Sequence, residues 1–117
     1  MSHITKIKYT KKFRRQYSRL NPKIRIQFKD RQRLWLDDPY NTRLHLHMLT
    51  GEYAGLYSIN ITGDIRALYE KIDDSYVIFG FIGTHSQLYG WFKIPRHVKI
   101  YVDVASNKQR TIQRIRI

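Results

Sequence analysis

The chain has 117 residues, no cysteine and a formal net charge of +13. That length predicts one domain with a modest core, and 42% hydrophobic with 26% charged residues is the composition of a globular chain rather than a disordered one. The missing cysteines exclude disulfides, thiolate zinc sites and cysteine nucleophiles, and no apolar run has the length of a secretory signal core or a membrane span, so a cytoplasmic protein with no membrane partner is expected.

Residues 3–10, "HITKIKYT", alternate and predict a first strand. Thr10 is placed to cap a helix over "KKFRRQYSRL" (11–20), where Phe13, Tyr17 and Leu20 recur at helical spacing. Lys11, Lys12, Arg14 and Arg15 fill the positions between. Asn21-Pro22 ends that helix and opens a second, through "KIRIQFKDRQRLWL" (23–36). Ile24, Phe28 and Trp35 share its apolar face, while Arg31 and Arg33 add to its charge. It stops near Asp37-Asp38-Pro39, because a residue before proline avoids the helical region. Residues 1–36 carry a net +11. The result is a helical hairpin with a core-facing stripe and a very basic outer face.

Beyond Pro39 the period changes to that of strands. "RLHLHML" (43–49), "GLYSINI" (55–61), "DIRALYEKI" (64–72) and "SYVIFGFIG" (75–83) are joined by short links rich in Gly and Asp, the signature of antiparallel hairpins. The order β–α–α–β–β–β–β predicts an α+β domain. An N-terminal strand and helical hairpin precede a curved, four-stranded antiparallel sheet with the helices on one face. Residues 37–90 are mildly acidic, at a net −4. Residues 91–117 carry +6. There Val98, Ile100, Val102 and Val104 alternate as one more edge strand, followed by a basic polar tail. The division is therefore a domain over 1–90 and a basic extension over 91–117. Charge concentrated at both ends of a small domain favours a polyanionic partner, most simply nucleic acid.

Five histidines are present: His3, His45, His47, His85 and His97. In "RLHLHML" the two leucines face one side and His45 and His47 the other. His85 ends the last central strand, Arg66 lies in its neighbour, Asp64 sits in the turn before, and Tyr89 follows four residues after His85. Histidine gives or takes a proton near neutral pH, and arginine holds a phosphate and its extra negative charge. Those types suit RNA cleavage without a metal: the 2′-hydroxyl attacks phosphorus, a base takes its proton and an acid protonates the 5′-oxygen. There is no HExxH and no clustered carboxylate set for magnesium. Types and spacing alone fit a structural role as well, with His85 as a solvated loop histidine, Arg66 paired with Glu70 or Asp64, and Tyr89 as a rim aromatic. Gly83 is expected to let the backbone turn so that His85 leaves the core strand.

Four pieces in order resemble the RelE/ParE superfamily of bacterial toxins, and its YafQ-like mRNA interferase branch in particular. They are His47 with "MLTG", Glu52-Tyr53-Ala54-Gly55, Gly63-Asp64-Ile65-Arg66-Ala67-Leu68-Tyr69, and Gly83-Thr84-His85-Ser86-Gln87-Leu88-Tyr89-Gly90. The resemblance covers about residues 4–90 and implies a RelE-like fold. It further implies a ribosome-dependent endoribonuclease of a type II toxin–antitoxin system, without cofactor or metal. Its partners would be mRNA in the decoding site, rRNA, and a cognate acidic antitoxin. By position, His47 and His85 would be the acid/base pair, in an order the motifs leave open. Asp64 would orient or assist, Arg66 would steady the phosphate, and Tyr89 would contact base or leaving group. Lys11, Lys12, Arg14, Arg15, Arg31, Arg33 and Asn60 would contact RNA. This chain departs from the branch at Asn60, where a third histidine is usual, and at Ile65, where tryptophan is. Asparagine hydrogen-bonds but cannot transfer protons. Two alternatives stay open: a gyrase-binding toxin of the ParE kind, whose members lack the histidine pair, and an inactive RNA- or antitoxin-binding module.

Overall fold

The structure, a computed structural model, describes residues 4–89 apart from the side chains of Glu52 and Tyr89. The expected edge strand at 98–104 and the tail beyond it lie outside the described residues. In chain order the elements are β1 (Lys6–Tyr9), α1 (Lys11–Ser18), α2 (Pro22–Asp37), β2 (His47–Met48), β3 (Leu56–Asn60), β4 (Ile65–Lys71), β5 (Tyr76–Thr84) and α3 (His85–Tyr89). One sheet holds all five strands in the order β1-β5-β4-β3-β2. β1 pairs with β5 in parallel and the remaining pairs are antiparallel. The N-terminal strand thus joins the sheet that a four-strand count leaves it out of. The cause is β5, buried from Tyr76 to Gly83. A strand apolar on both faces takes neighbours on both edges and cover on both sides.

The hairpin forms where its caps predict. Thr10 accepts the Phe13 amide at 3.0 Å and Asn21 accepts the Lys23 amide at 2.8 Å, with Pro22 opening α2. Asp38, before Pro39, is extended and closes α2. Phe13, Phe28 and Trp35 are buried against Ile59, Ala67, Tyr69, Val77, Phe79 and Ile82 in the core between helices and sheet. On the other face, Leu56, Leu68, Tyr76, Ile78, Phe81 and Leu88 form a second core, with Leu49 and Tyr53 packed against it.

β5 keeps both faces apolar through an irregularity. Leu68 pairs with Phe81 but Tyr69 pairs with Phe79, so Gly80 is an extra residue on the β5 side. The bulge inverts the alternation. Val77 and Phe79 face the helices before it, as Ile82 does after it, which leaves Phe81 and Gly83 on the far face. α1 secures this point. The Thr10 hydroxyl donates to the Gly80 carbonyl at 2.8 Å, and Gln16 Oε1 accepts the Ile82 amide at 2.9 Å. Thr10→Val removes both the cap and the bond to the bulge, so a loss of about 1–2 kcal/mol is expected in urea unfolding, with the slope unchanged.

The expected strand at 43–49 is corrected. Asn41 caps a 3₁₀ turn over Thr42–Leu44, His45 is left-handed at φ 46°, and only His47–Met48 pair with β3. Burial still alternates, with Leu44 fully buried, Leu46 half-buried and His45 and His47 exposed. A turn anchored by Leu44 and then a short strand produce the same in–out pattern as one strand, which is why periodicity cannot separate them. β3 and β4 fall inside their expected segments, and β5 runs one residue further, to Thr84.

Candidate active site

Strand register arranges the candidate residues on one face. His47 pairs with Ser58, Ser58 with Leu68, and Leu68 with Phe81. One step along, Asn60 pairs with Arg66 and Arg66 with Gly83. Directly paired residues share a face. Leu68 and Phe81 belong to the core away from α1 and α2, so both rows face away from the helices. His85 starts α3 two residues past Gly83. Arg66 and Asn60 are half-buried, and His47, Asp64 and His85 are exposed. At about 4.8 Å per strand, β2 and β5 lie roughly 14 Å apart across the sheet, with β4 and its Arg66 between. His47 thus stands on β2, to one side of β4 and its Arg66, and β5 on the other side of β4 leads into His85 at the start of α3.

Each position has a local cause. The turn between β3 and β4 is held by the Thr62 hydroxyl, which accepts the amides of Asp64 at 3.1 Å and Ile65 at 2.9 Å. Asp64 is thereby set at its tip. Arg31 reaches from α2 to donate through Nε to the Ile61 carbonyl at 3.3 Å, fastening the same turn. Arg66 Nη1 donates to the Asp64 backbone carbonyl at 3.4 Å, a long bond to backbone rather than to carboxylate. His47 Nδ1 lies 2.9 Å from the carbonyl oxygen of His45. Asn60 stands in the Arg66 row, so that departure falls within the candidate site, whereas Ile65 packs against the helix-side core.

His85 is placed by a device the sequence contains and residue-type reasoning passes over. Gln87 donates its amide to Thr84 Oγ1 at 3.0 Å, and the Thr84 amide donates back to Gln87 Oε1 at 2.9 Å. This is a capping box, signalled by Thr-x-x-Gln at 84–87, and it makes His85 the first residue of a helix. Gly83 has a different purpose from the expected turn. A Cβ there would stand 2.8 Å from Gln87 Oε1, the atom that closes the box, and its φ lies outside the left-handed region. Gly83→Ala is therefore expected to act through Gln87. In a double-mutant cycle on thermal unfolding, adding Gly83→Ala to Gln87→Ala costs much less than Gly83→Ala alone.

The basic residues lie on another surface. Lys11, Arg14 and Arg15 are exposed on α1, and Lys12 is half-buried there. Arg33 is exposed on α2 and pairs loosely with Asp30 at 3.5 Å. These helices cover the opposite side of the sheet from the histidine rows. A cleft of ≈ 280 Å³ also opens on the helix side, lined by Tyr9, Phe13, Arg14, Tyr17, Phe28, Lys29 and Gln32. Among the described residues, no three His, Asp or Glu side chains gather where a metal could sit, and no helix is long and apolar enough to cross a membrane. The backbone of Tyr89 ends α3, and its side chain lies outside the described residues.

The family model for YafQ, a bacterial toxin of type II toxin–antitoxin systems, matches residues 5–90. The chain belongs to this family. No curated protein sequence matches it significantly. Among solved structures it is similar to YafQ from E. coli strain BL21(DE3), at 19% identity and TM-score 0.62 over 72% of this chain and 97% of that one. It is also similar to a YoeB/ParE toxin from Agrobacterium tumefaciens, at 20% identity and TM-score 0.59, covering 69% and 99% of the two chains. The E. coli DinJ–YafQ toxin–antitoxin complex matches at 20% identity and TM-score 0.60, covering 72% and 96%. At such identities these likenesses establish the fold. The fold expected of a YafQ-family toxin, a RelE-like α+β sheet, is the one observed.

Proposed function

We propose that this YafQ-family chain is a ribosome-dependent endoribonuclease that cleaves mRNA by metal-independent acid/base chemistry. The observation that carries the proposal is the far face of the sheet. Arg66 and Asn60 stand in one row, opposite a residue with no side chain, with exposed His47 on β2 and exposed His85 at the start of the helix that follows β5. In the reaction, the 2′-oxygen bonds to phosphorus as one histidine takes its proton. The bond from phosphorus to the 5′-oxygen breaks as the other histidine protonates that oxygen. Cleavage leaves a 2′,3′-cyclic phosphate and a 5′-hydroxyl. Acid and base act on opposite sides of phosphorus in such an in-line displacement, a division of labour that two histidines on separate elements, β2 and α3, can serve. Arg66 offsets the charge that grows on the phosphorane oxygens, and Asn60 donates a hydrogen bond to RNA. Asp64 at the turn tip steadies Arg66 or the RNA, and Tyr89 contacts base or leaving group.

α1 and α2 offer the second RNA surface. Lys11, Lys12, Arg14, Arg15, Arg31 and Arg33 contact rRNA phosphates while the far face meets mRNA, so ribosome binding weakens steeply with salt. The likeness to a toxin–antitoxin complex supports a cognate antitoxin as partner, and the +13 charge favours an acidic one. Ribosomes and mRNA place the activity in the cytoplasm.

Expression in cells with mapping of mRNA 5′ ends tests the proposal. New ends clustered within translated frames support it. Replication arrest with intact mRNA would instead favour gyrase binding of the ParE kind.

A further inference from the structure

Among the described residues, His45 is the one non-glycine residue with positive φ, at φ 46° and ψ 46°. Left-handed backbone disfavours side chains with a Cβ, and where a fold maintains it the conformation commonly serves a site. Its surroundings show what holds it. Asn41 Oδ1 accepts the Arg43 amide at 3.0 Å and starts the 3₁₀ turn, Leu44 is anchored in the core, and the His45 amide closes onto the Thr42 carbonyl at 3.2 Å. The chain then enters β2 two residues on, at His47. The left-handed step aims the His45 carbonyl at the imidazole of His47, 2.9 Å from Nδ1.

A carbonyl oxygen only accepts hydrogen bonds, so Nδ1 must carry the proton in this contact. In neutral imidazole the second nitrogen then bears the lone pair. We propose that His45 is a positioning residue acting through its backbone: its carbonyl holds His47 with the proton on Nδ1 and leaves Nε2 as the nitrogen that exchanges a proton with RNA. The carbonyl serves both protonation states. It fixes the tautomer when His47 is neutral, and it stays bonded to Nδ1–H when Nε2 has taken a proton. The side chain of His45 has no part in this, so that position tolerates glycine or asparagine, which adopt left-handed backbone readily, and resists β-branched residues. This assignment rests on the cleavage proposed above for its catalytic meaning. The tautomer itself does not, and that separates the two.

The test is nitrogen-15 NMR of the imidazoles in the full chain, with the imidazoles in their neutral form. For wild type the expected result is a pyrrole-like Nδ1 and a pyridine-like Nε2 at His47. His45→Gly and His45→Asn keep that pattern and keep kcat. His45→Val moves the proton towards Nε2 and lowers kcat by roughly up to tenfold, the worth of one hydrogen bond, with KM unchanged. A wild-type His47 protonated on Nε2 overturns the proposal. So does a loss of kcat in His45→Gly with the tautomer intact, since the imidazole of His45 would then be what matters. If His45→Val fails to fold, the wild-type and glycine spectra still decide. A retained tautomer in a chain that cleaves no RNA would refute the nuclease proposal and leave the positioning geometry standing.

Discussion

His85→Ala is expected to lower RNA cleavage by about 10²–10⁴-fold, the usual worth of a general acid or base, while thermal unfolding barely moves. The second half of that expectation comes from the structure. The start of α3 is held by Thr84 and Gln87, and the His85 imidazole is exposed, so its truncation belongs with surface substitutions worth within about 0.5 kcal/mol. His47→Ala has the same profile, a large kinetic effect with a small stability effect. Both are read from ribosome-bound mRNA in a purified translation system, beside the melting curve of each variant. If both single variants cut mRNA as fast as wild type, the acid/base assignment is wrong. The double variant is expected to lose little more than the worse single variant, because acid and base act on one transition state and their effects do not add.

The largest expected effect on stability is at Trp35. Its side chain is 1% exposed and packs edge-on against Tyr69 and Phe79, with ring centroids 5.1 and 5.2 Å away. Its indole nitrogen donates to the Tyr69 hydroxyl at 3.1 Å. Trp35→Ala leaves a large cavity at the junction of α2, β4 and β5, and a loss of about 3–5 kcal/mol is expected from urea unfolding. Domains of this size hold roughly 5–15 kcal/mol in all, so the variant is expected to unfold near physiological temperature. Retention of full stability would mean that the helix-side core closes over the gap, contrary to its packing. The same cluster gives a pH signature. Burial pushes the Tyr69 hydroxyl up to about 12, against the usual value near 10 for an unfolded chain. Between those values the unfolded chain loses this proton and the folded one keeps it. The stability from the protonated hydroxyl is complete below about pH 10 and is lost as pH rises towards about 12. Tyr69→Phe removes that part of the alkaline slope.

Elements with a local cause were legible in the residues alone. Thr10, Asn21-Pro22 and Pro39 bound the two helices where capping and proline sterics require. Three segments of apolar strand period became β3, β4 and β5, because short polar turns allow them nothing but antiparallel pairing. The candidates His47, Asp64, Arg66 and His85 come from the family resemblance of four pieces in order, since residue types and spacing by themselves fit a structural role as well. What the chain's own order could not decide were matters of register and of partner. That β1 lies beside β5, 70 residues on, depends on β5 needing a second neighbour. That Gly83 falls on the same face as Arg66 depends on the extra residue at Gly80, pinned by the Thr10 hydroxyl from another element. His45 alternates like a strand residue in sequence, yet it is left-handed, because Leu44 is drawn into the core before the chain turns to meet β3. Propensities and periods act over a few residues and are written locally. A bulge, an edge pairing or a reversed φ is chosen by contacts between segments far apart in the chain, and only the folded sheet supplies them.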